Sequence, residues 1–212
     1  MTSGCYLVFE GGDATGKSVH AKQAVAWLAE LGHHVVHLRE PGSTATGEAL
    51  RRLLLDPAGG DLDPLTEALL FSAARAEMLH AEVLPALEDG AVVLVERCYL
   101  STMVYQGRAS RDAVAPDVLR RVTDAVHGDH WPNRIYLLDV DDETRRGRAD
   151  RAGKADRFES REESFHRAVR QAYLDLAEAD PRVVVIDARP SVDEVQSELR
   201  RRIQALLAEV SA

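Results

Sequence analysis

The stretch Gly11-Gly12-Asp13-Ala14-Thr15-Gly16-Lys17-Ser18 lies between an apolar run, Cys5-Tyr6-Leu7-Val8-Phe9, and a segment, Val19 to Leu31, that contains neither proline nor glycine. It matches the pattern G-x-x-x-x-G-K-[ST]. The glycines let the backbone curl until successive N–H groups point at phosphate oxygens. Lys17 adds a point charge for the outer phosphates, and the Ser18 hydroxyl can ligate Mg²⁺. The pattern needs a strand before it and a helix after it, and both are present in the flanking sequence. Lysine is scarce in this chain. Lys17, Lys22 and Lys154 are the three lysines among 26 basic residues, and one of them stands where a phosphate loop requires it.

Working outward, short apolar runs recur at Cys5–Glu10, His34–Leu38, Ala91–Val95, Ile135–Val140 and Val183–Ile186. Each is nearly continuous in hydrophobicity, as in strands covered on both faces of a parallel sheet. Helical segments are expected between them, at Val19–Leu31, Thr46–Leu55, Leu65–Val83, Pro116–His127, Glu143–Ala152, Glu162–Ala179 and Val192–Val210. Asp63-Pro64 and Pro190-Ser191 supply start signals, and Gly32, Gly128 and Gly153 supply stops. Strands alternating with helices imply βαβ units and a five-stranded parallel sheet in an α/β fold. Such sheets bind ligands beyond the carboxyl ends of their strands. The chemistry-bearing residues fall there: Glu10–Ser18, Arg39–Thr44, and Glu96 onward.

At 212 residues and 45% hydrophobic content the chain suits one domain with a full core. Its formal net charge of −9 speaks against nonspecific binding to nucleic acid or to an anionic membrane. Cys5 and Cys98 read as reduced thiols, not as a disulfide framework. No apolar run approaches the ~20 residues of a membrane span. The opening Met1-Thr2-Ser3-Gly4 lacks the basic-then-apolar pattern of a signal peptide, so a cytoplasmic location is expected.

Four further groups carry chemistry. Arg39-Glu40-Pro41-Gly42-Ser43-Thr44 is either a ligand-contact turn or a helix-start turn with a solvated charge pair. Glu96 closes the third strand, where a carboxylate can support Mg²⁺ beside Ser18. Arg97 offers a bidentate fork to a phosphate, and an ion pair at a strand end is the plainer alternative. Phe71 and Arg75 lie four apart on one helix face. They could read a base by stacking and edge contact, or be a core aromatic and a snorkelling arginine. Residues 145–157 hold six basic side chains and two acidic ones, which suits a mobile lid over a triphosphate or a solvated helix end. The histidines (His20, His33, His34, His37, His80, His127, His130 and His166) show no metal-ligand spacing and receive no role.

Taken together these residues resemble the thymidylate kinase family of P-loop nucleoside monophosphate kinases. The resemblance runs over nearly the whole chain. It is carried by Phe9–Ser18, Arg39-Glu40-Pro41-Gly42, Leu69–Arg75, Glu96-Arg97 with Leu100-Ser101-Thr102, Val104-Tyr105-Gln106-Gly107, Leu137–Val140 and Asp156-Arg157-Phe158-Glu159. It implies a single P-loop NTPase domain over 1–212, a three-layer α/β/α sandwich, and a short helical lid at about 145–158. The implied reaction is transfer of the γ-phosphate of ATP to dTMP, with Mg²⁺, in a homodimer. Two alternatives stand beside it: a kinase for another or modified pyrimidine deoxynucleoside monophosphate, and a nucleotide-gated regulatory ATPase.

The resemblance also implies roles. Gly11, Gly12, Asp13, Ala14, Thr15, Gly16, Lys17 and Ser18 would hold ATP, and Asp13 would also meet the acceptor sugar. Ser18 and Glu96 would serve the metal. Arg39 and Glu40 would line the acceptor pocket, Phe71 would stack on thymine, and Arg75 would bond its edge. Arg97 would hold the acceptor phosphate. Ser101, Tyr105 and Gln106 would contact base and sugar, with Tyr105 disfavouring a ribose 2′-hydroxyl. Arg148, Arg151 and Arg157 would belong to the lid, with Lys17, Arg97, Arg148 and Arg151 as the catalytic cations and Arg151 the foremost lid contact to the transferred group. Two positions depart from the family pattern: Glu96 stands for aspartate, and Ser43 for glycine.

Overall fold

The computed structural model describes residues 4–56, 60, 62–110, 112–152, 158–159 and 161–210. Five strands, β1 (Cys5–Glu10), β2 (Val35–Arg39), β3 (Val92–Glu96), β4 (Arg134–Asp139) and β5 (Val183–Asp187), form one parallel sheet in the order β2-β3-β1-β4-β5. All five lie where the apolar runs placed them, displaced by one residue at most at either end. Every residue of β1 is buried, as a central strand covered on both faces requires.

The helices are α1 (Lys17–Glu30), α2 (Ala45–Leu55), α3 (Pro64–Met78), α4 (Leu84–Glu88), α5 (Tyr99–Thr102), α6 (Pro116–His127), α7 (Asp142–Ala152), α8 (Glu163–Ala179) and α9 (Val192–Val210). Side chains alternate along β1. Cys5, Leu7 and Phe9 pack with Ala21, Ala24 and Leu28 of α1 and Leu199 and Ile203 of α9. Tyr6 and Val8 face the other way, into a cluster with Met78 of α3 and Val169 and Tyr173 of α8. A helical layer therefore lies on each side of the sheet, giving the three-layer α/β/α sandwich.

Helix starts follow the expected chemistry. The Asp63 carboxylate accepts from the Leu65 and Thr66 amides at 2.9 and 3.3 Å, with Pro64 in the first turn. At α9, Ser191 and Glu194 cap one another: Ser191 N–H donates to Glu194 Oε2 at 3.0 Å, and Glu194 N–H donates to Ser191 Oγ at 3.3 Å. Two segments differ from the sequence reading. The single helix expected over Leu65–Val83 is regular only to Met78. It widens into a π-helical turn at Leu79–Val83 and resumes as α4, with Pro85 in its first turn. The proline ring has no N–H to give to the preceding turn, and the wider turn accommodates it. A second π-helical stretch, Met103–Arg108, follows α5 in a region where no helix was expected.

Candidate active site

Between β1 and α1 the chain turns back through Gly11–Gly16. Gly11 (φ +142°) and Gly16 (φ +94°) occupy backbone regions that side chains avoid, and a Cβ on Gly11 would collide with the Leu138 carbonyl oxygen. Ala14 also has positive φ, at +60°. Lys17 is buried at the first position of α1. Its ammonium donates to the Gly11 and Gly12 carbonyls at 3.0 and 2.6 Å, folded over the loop it opens from. Burial and the nearby Arg97 lower its pKa to about 8, against the pull of Asp13, Glu10 and Glu96. It is still a cation at neutral pH.

Arg97, just past β3, adopts φ +70° and swings back across the loop. Its guanidinium donates to the Gly11 carbonyl at 3.1 Å, to Ser101 Oγ at 3.3 Å, and to the Asp13 carboxylate. Tyr105 donates to the second Asp13 oxygen at 3.1 Å, and its ring lies beneath the guanidinium, 5.5 Å away. Burial alone would raise the Asp13 pKa, but the charges of Arg97 and Lys17 bring it below the usual carboxylate value.

Glu10, fully buried at the end of β1, ties this corner together. Its carboxylate accepts from the amides of Cys98 (2.8 Å), Ser101 (3.0 Å) and Gly11 (3.1 Å), and from the hydroxyls of Ser101 and Tyr173 at 3.0 and 2.9 Å. One carboxylate thus fixes the start of α5 relative to the phosphate loop.

Arg75 of α3 is 1% exposed and faces Glu40. Its Nε donates to Glu40 Oε2 at 2.8 Å and one Nη donates to Thr102 Oγ1 at 3.1 Å. Its other Nη and Glu40 Oε1 are buried without a hydrogen-bond partner among the described residues. Burial pushes the Glu40 carboxyl up to about 7, with Arg75 opposing the rise. Gln106 is buried and donates to Glu67 at 3.0 Å. Phe71, Phe158 and Tyr105 form an aromatic wall, with Phe158 6.1 Å from Phe71 and 5.7 Å from Tyr105 between ring centres.

These groups converge on one cleft of about 460 Å³, lined by Lys17 and Ser18 at one end and Arg75, Tyr105 and Gln106 at the other. Of the residues singled out in the sequence, Asp13, Ala14, Gly16, Lys17, Ser18, Arg39, Glu40, Phe71, Arg75, Glu96, Arg97, Ser101, Tyr105 and Gln106 all border it. Gly11, Gly12 and Thr15 complete the loop behind. Sequence reasoning missed Arg51 and Leu55, which reach the cleft from α2. Their spacing of four was a usable signal. Thr102 and Phe158 were visible only as members of quoted motifs.

The charged pair Arg39-Glu40 is split by the fold. Glu40 turns inward to Arg75, while the exposed Arg39 side chain pairs with Glu48 of α2 at 3.2 Å. Ser43 adopts the left-handed conformation (φ +67°) in which glycine would be at ease. Its hydroxyl accepts from the Arg39 amide at 2.8 Å, which holds the turn. Of the basic segment, Arg148 is bound to the base of the phosphate loop. It donates to the Thr15 carbonyl at 3.2 Å and the Ala188 carbonyl at 2.7 Å. Arg151 is exposed in the last turn of α7. Arg157 and Lys154 lie outside the described residues.

Glu96 meets Ser18, its Oε2 accepting from the serine hydroxyl at 2.5 Å, while His37 Nε2 lies 3.0 Å from Oε1. Burial alone would raise the Glu96 pKa, but these two hydrogen bonds hold it below the ordinary value. Hard oxygen donors, one in the first turn of α1 and one at the end of β3, suit a Mg²⁺ that keeps most of its ligands as water and phosphate oxygens.

The thymidylate kinase family model matches residues 9–199. The chain belongs to the thymidylate kinase family. A thymidylate kinase of Symbiobacterium thermophilum is 42% identical over 95% of this chain and 94% of its own. One from Deinococcus radiodurans is 41% identical over 94% and 96%. The crystal structure of the thymidylate kinase from Ehrlichia chaffeensis superposes with a TM-score of 0.76 at 28% identity, covering 95% of this chain and 99% of that one. Membership in the thymidylate kinase family makes the protein a nucleoside monophosphate kinase, as the resemblance implied. The parallel sheet order and the phosphate loop are those of a P-loop fold. Among the described residues no helix is long and apolar enough to cross a membrane.

Proposed function

We propose that this protein transfers the γ-phosphate of ATP to dTMP, giving ADP and dTDP, with Mg²⁺ as cofactor. The observation that carries the reading is the single cleft with a phosphate loop at one end and the buried Glu40–Arg75 pair at the other, the free Nη of Arg75 being left for a base carbonyl.

In this reading the amides of Gly11–Ser18 and the Lys17 ammonium receive the triphosphate, Lys17 exchanging loop carbonyls for phosphate oxygens. Ser18 and Glu96 would hold Mg²⁺, whose charge would offset that building up on the phosphoryl oxygens. Arg97 lies between loop and acceptor pocket, already aimed by Asp13, Ser101 and Tyr105, and takes the acceptor phosphate. Phe71 offers a face to the base, and Tyr105 with Asp13 borders the sugar. No nucleophilic side chain is required, since in-line transfer needs alignment and charge alone. Arg151 is the lid cation assigned to the transferred group, and donor binding is the role assigned to Arg157. Arg148 acts from beneath the loop, stabilising its shape.

A homodimer is the assembly the resemblance implies. The exposed Leu53, Leu65 and Leu69 of α2 and α3 offer an apolar face to a second copy. A cytoplasmic location fits a nucleotide kinase with two buried free thiols.

The test is incubation with ATP, Mg²⁺ and a panel of nucleoside monophosphates, with product diphosphates resolved by chromatography. dTDP is the expected main product. A different pyrimidine diphosphate would reassign the acceptor, and release of only ADP and free phosphate would favour a regulatory ATPase.

A further inference from the structure

Both oxygens of Glu96 are engaged, and from different elements. Ser18 of α1 holds Oε2, and His37 of β2 meets Oε1. The strand register explains the meeting. Arg39 pairs with Glu96 and His37 with Leu94, so His37 stands two residues back along the edge strand, on the sheet face that carries α1. A glutamate at a strand end has three side-chain torsions to fix. A bond at one oxygen leaves the carboxylate free to pivot toward Lys17, whereas bonds at both oxygens define its plane and its reach.

We propose that His37 is a positioning residue that holds the Glu96 carboxylate against Ser18 and so sets the affinity of the site for nucleotide-bound Mg²⁺. The inference rests on the metal reading given above and adds a residue to it. His37 touches neither phosphate loop nor cleft. It acts through Glu96, as outer partners of ligating carboxylates do at other metal sites. Nothing in the local sequence pairs position 37 with position 96. The partnership follows from the sheet order, which makes β2 and β3 neighbours.

The test measures Mn²⁺, as a magnetic stand-in for Mg²⁺, binding to the full-length protein saturated with ADP, by electron paramagnetic resonance. His37→Leu is expected to raise the Mn²⁺ Kd by roughly tenfold. His37→Gln, which retains an N–H donor of similar reach, is expected to restore most of it. In a Glu96→Asp background the shorter carboxylate no longer spans to both partners, so adding His37→Leu should change the Kd less than twofold. Melting temperatures of the His37 variants should stay near wild type, since 27% of the side chain is exposed. An unchanged Kd in His37→Leu, with Glu96→Ala weakening the metal, overturns the role of His37 alone. An unchanged Kd in Glu96→Ala overturns the metal assignment itself, and the His37 inference with it.

Discussion

Replacing Arg75 by methionine separates the two tasks assigned to it. The guanidinium is 1% exposed and faces a Glu40 carboxylate that is itself 6% exposed. Methionine keeps most of the volume and removes the charge, leaving Glu40 buried beside an apolar neighbour. Removing one partner of a buried pair costs about 3–5 kcal/mol, because the other charge is left uncompensated. At roughly 2–4 °C per kcal/mol for a chain of this size, the melting temperature should fall by roughly 6–20 °C. Glu40→Gln in the same background should recover most of that loss. The pH dependence follows from Glu40, which burial pushes up to about 7. A carboxyl whose folded pKa is raised contributes its stability in full below its unfolded value and loses it as pH rises through the folded value. Without Arg75 the folded value moves higher still, so the deficit relative to wild type should be larger at pH 8 than at pH 6. In turnover, kcat/KM for dTMP should fall by about 10–100-fold, the worth of a buried charged hydrogen bond, while the ATP Kd moves less than threefold. Calorimetric melting at the two pH values, and a coupled assay with each substrate varied, read all of this. An unchanged melting temperature, or equal losses for donor and acceptor, would refute the reasoning.

Lys17→Ala should abolish phosphoryl transfer, with kcat down by at least about 10³-fold, and leave the circular dichroism spectrum intact; turnover within tenfold of wild type would count against the loop as the donor site. Gly11→Ala forces a side chain into φ +142° and against the Leu138 carbonyl. It should lose at least roughly 1–3 kcal/mol in urea unfolding. His127 is stacked on Trp131 at 4.5 Å, its Nε2 buried without a partner among the described residues, and burial with the charge of Arg75 lowers its pKa to about 4. Folded and unfolded chains are both neutral at this residue above pH 6.5, so its contribution is intact there. It fades as pH falls toward 4, where the loss reaches about 3 kcal/mol. Urea midpoints at pH 7 and pH 4.5 should therefore converge in His127→Gln relative to wild type, and parallel pH profiles would reject this assignment.

The residues legible from sequence are those whose place is set by their distance from a strand end. Gly11–Ser18 follows β1, Arg39-Glu40 closes β2, and Glu96-Arg97 closes β3. A parallel sheet with covered faces directs all three ends to one edge, so the apolar runs alone bring these groups together. The family resemblance then adds their roles. What stays hidden is how each group is held, because the holding partner arrives from a distant part of the chain. Arg75 is tied to Glu40, 35 positions away, Arg97 to Asp13 at 84, and Glu10 to Tyr173 at 163. No local pattern separates a base-reading Arg75 from a snorkelling one, and burial beside Glu40 removes the snorkelling one. The same limit explains the split of Arg39 from Glu40. Adjacent residues on a strand point to opposite faces, so a sequential charge pair at a strand end reaches two different environments. It also explains why eight histidines could be set aside while one of them, His37, meets the carboxylate of Glu96. His37 lacks any spacing that marks a ligand. It becomes informative only once β2 is known to lie against β3, and then the longer arm of Glu96 no longer reads as a defect in the pattern, since the edge strand supplies the second anchor that a longer arm requires.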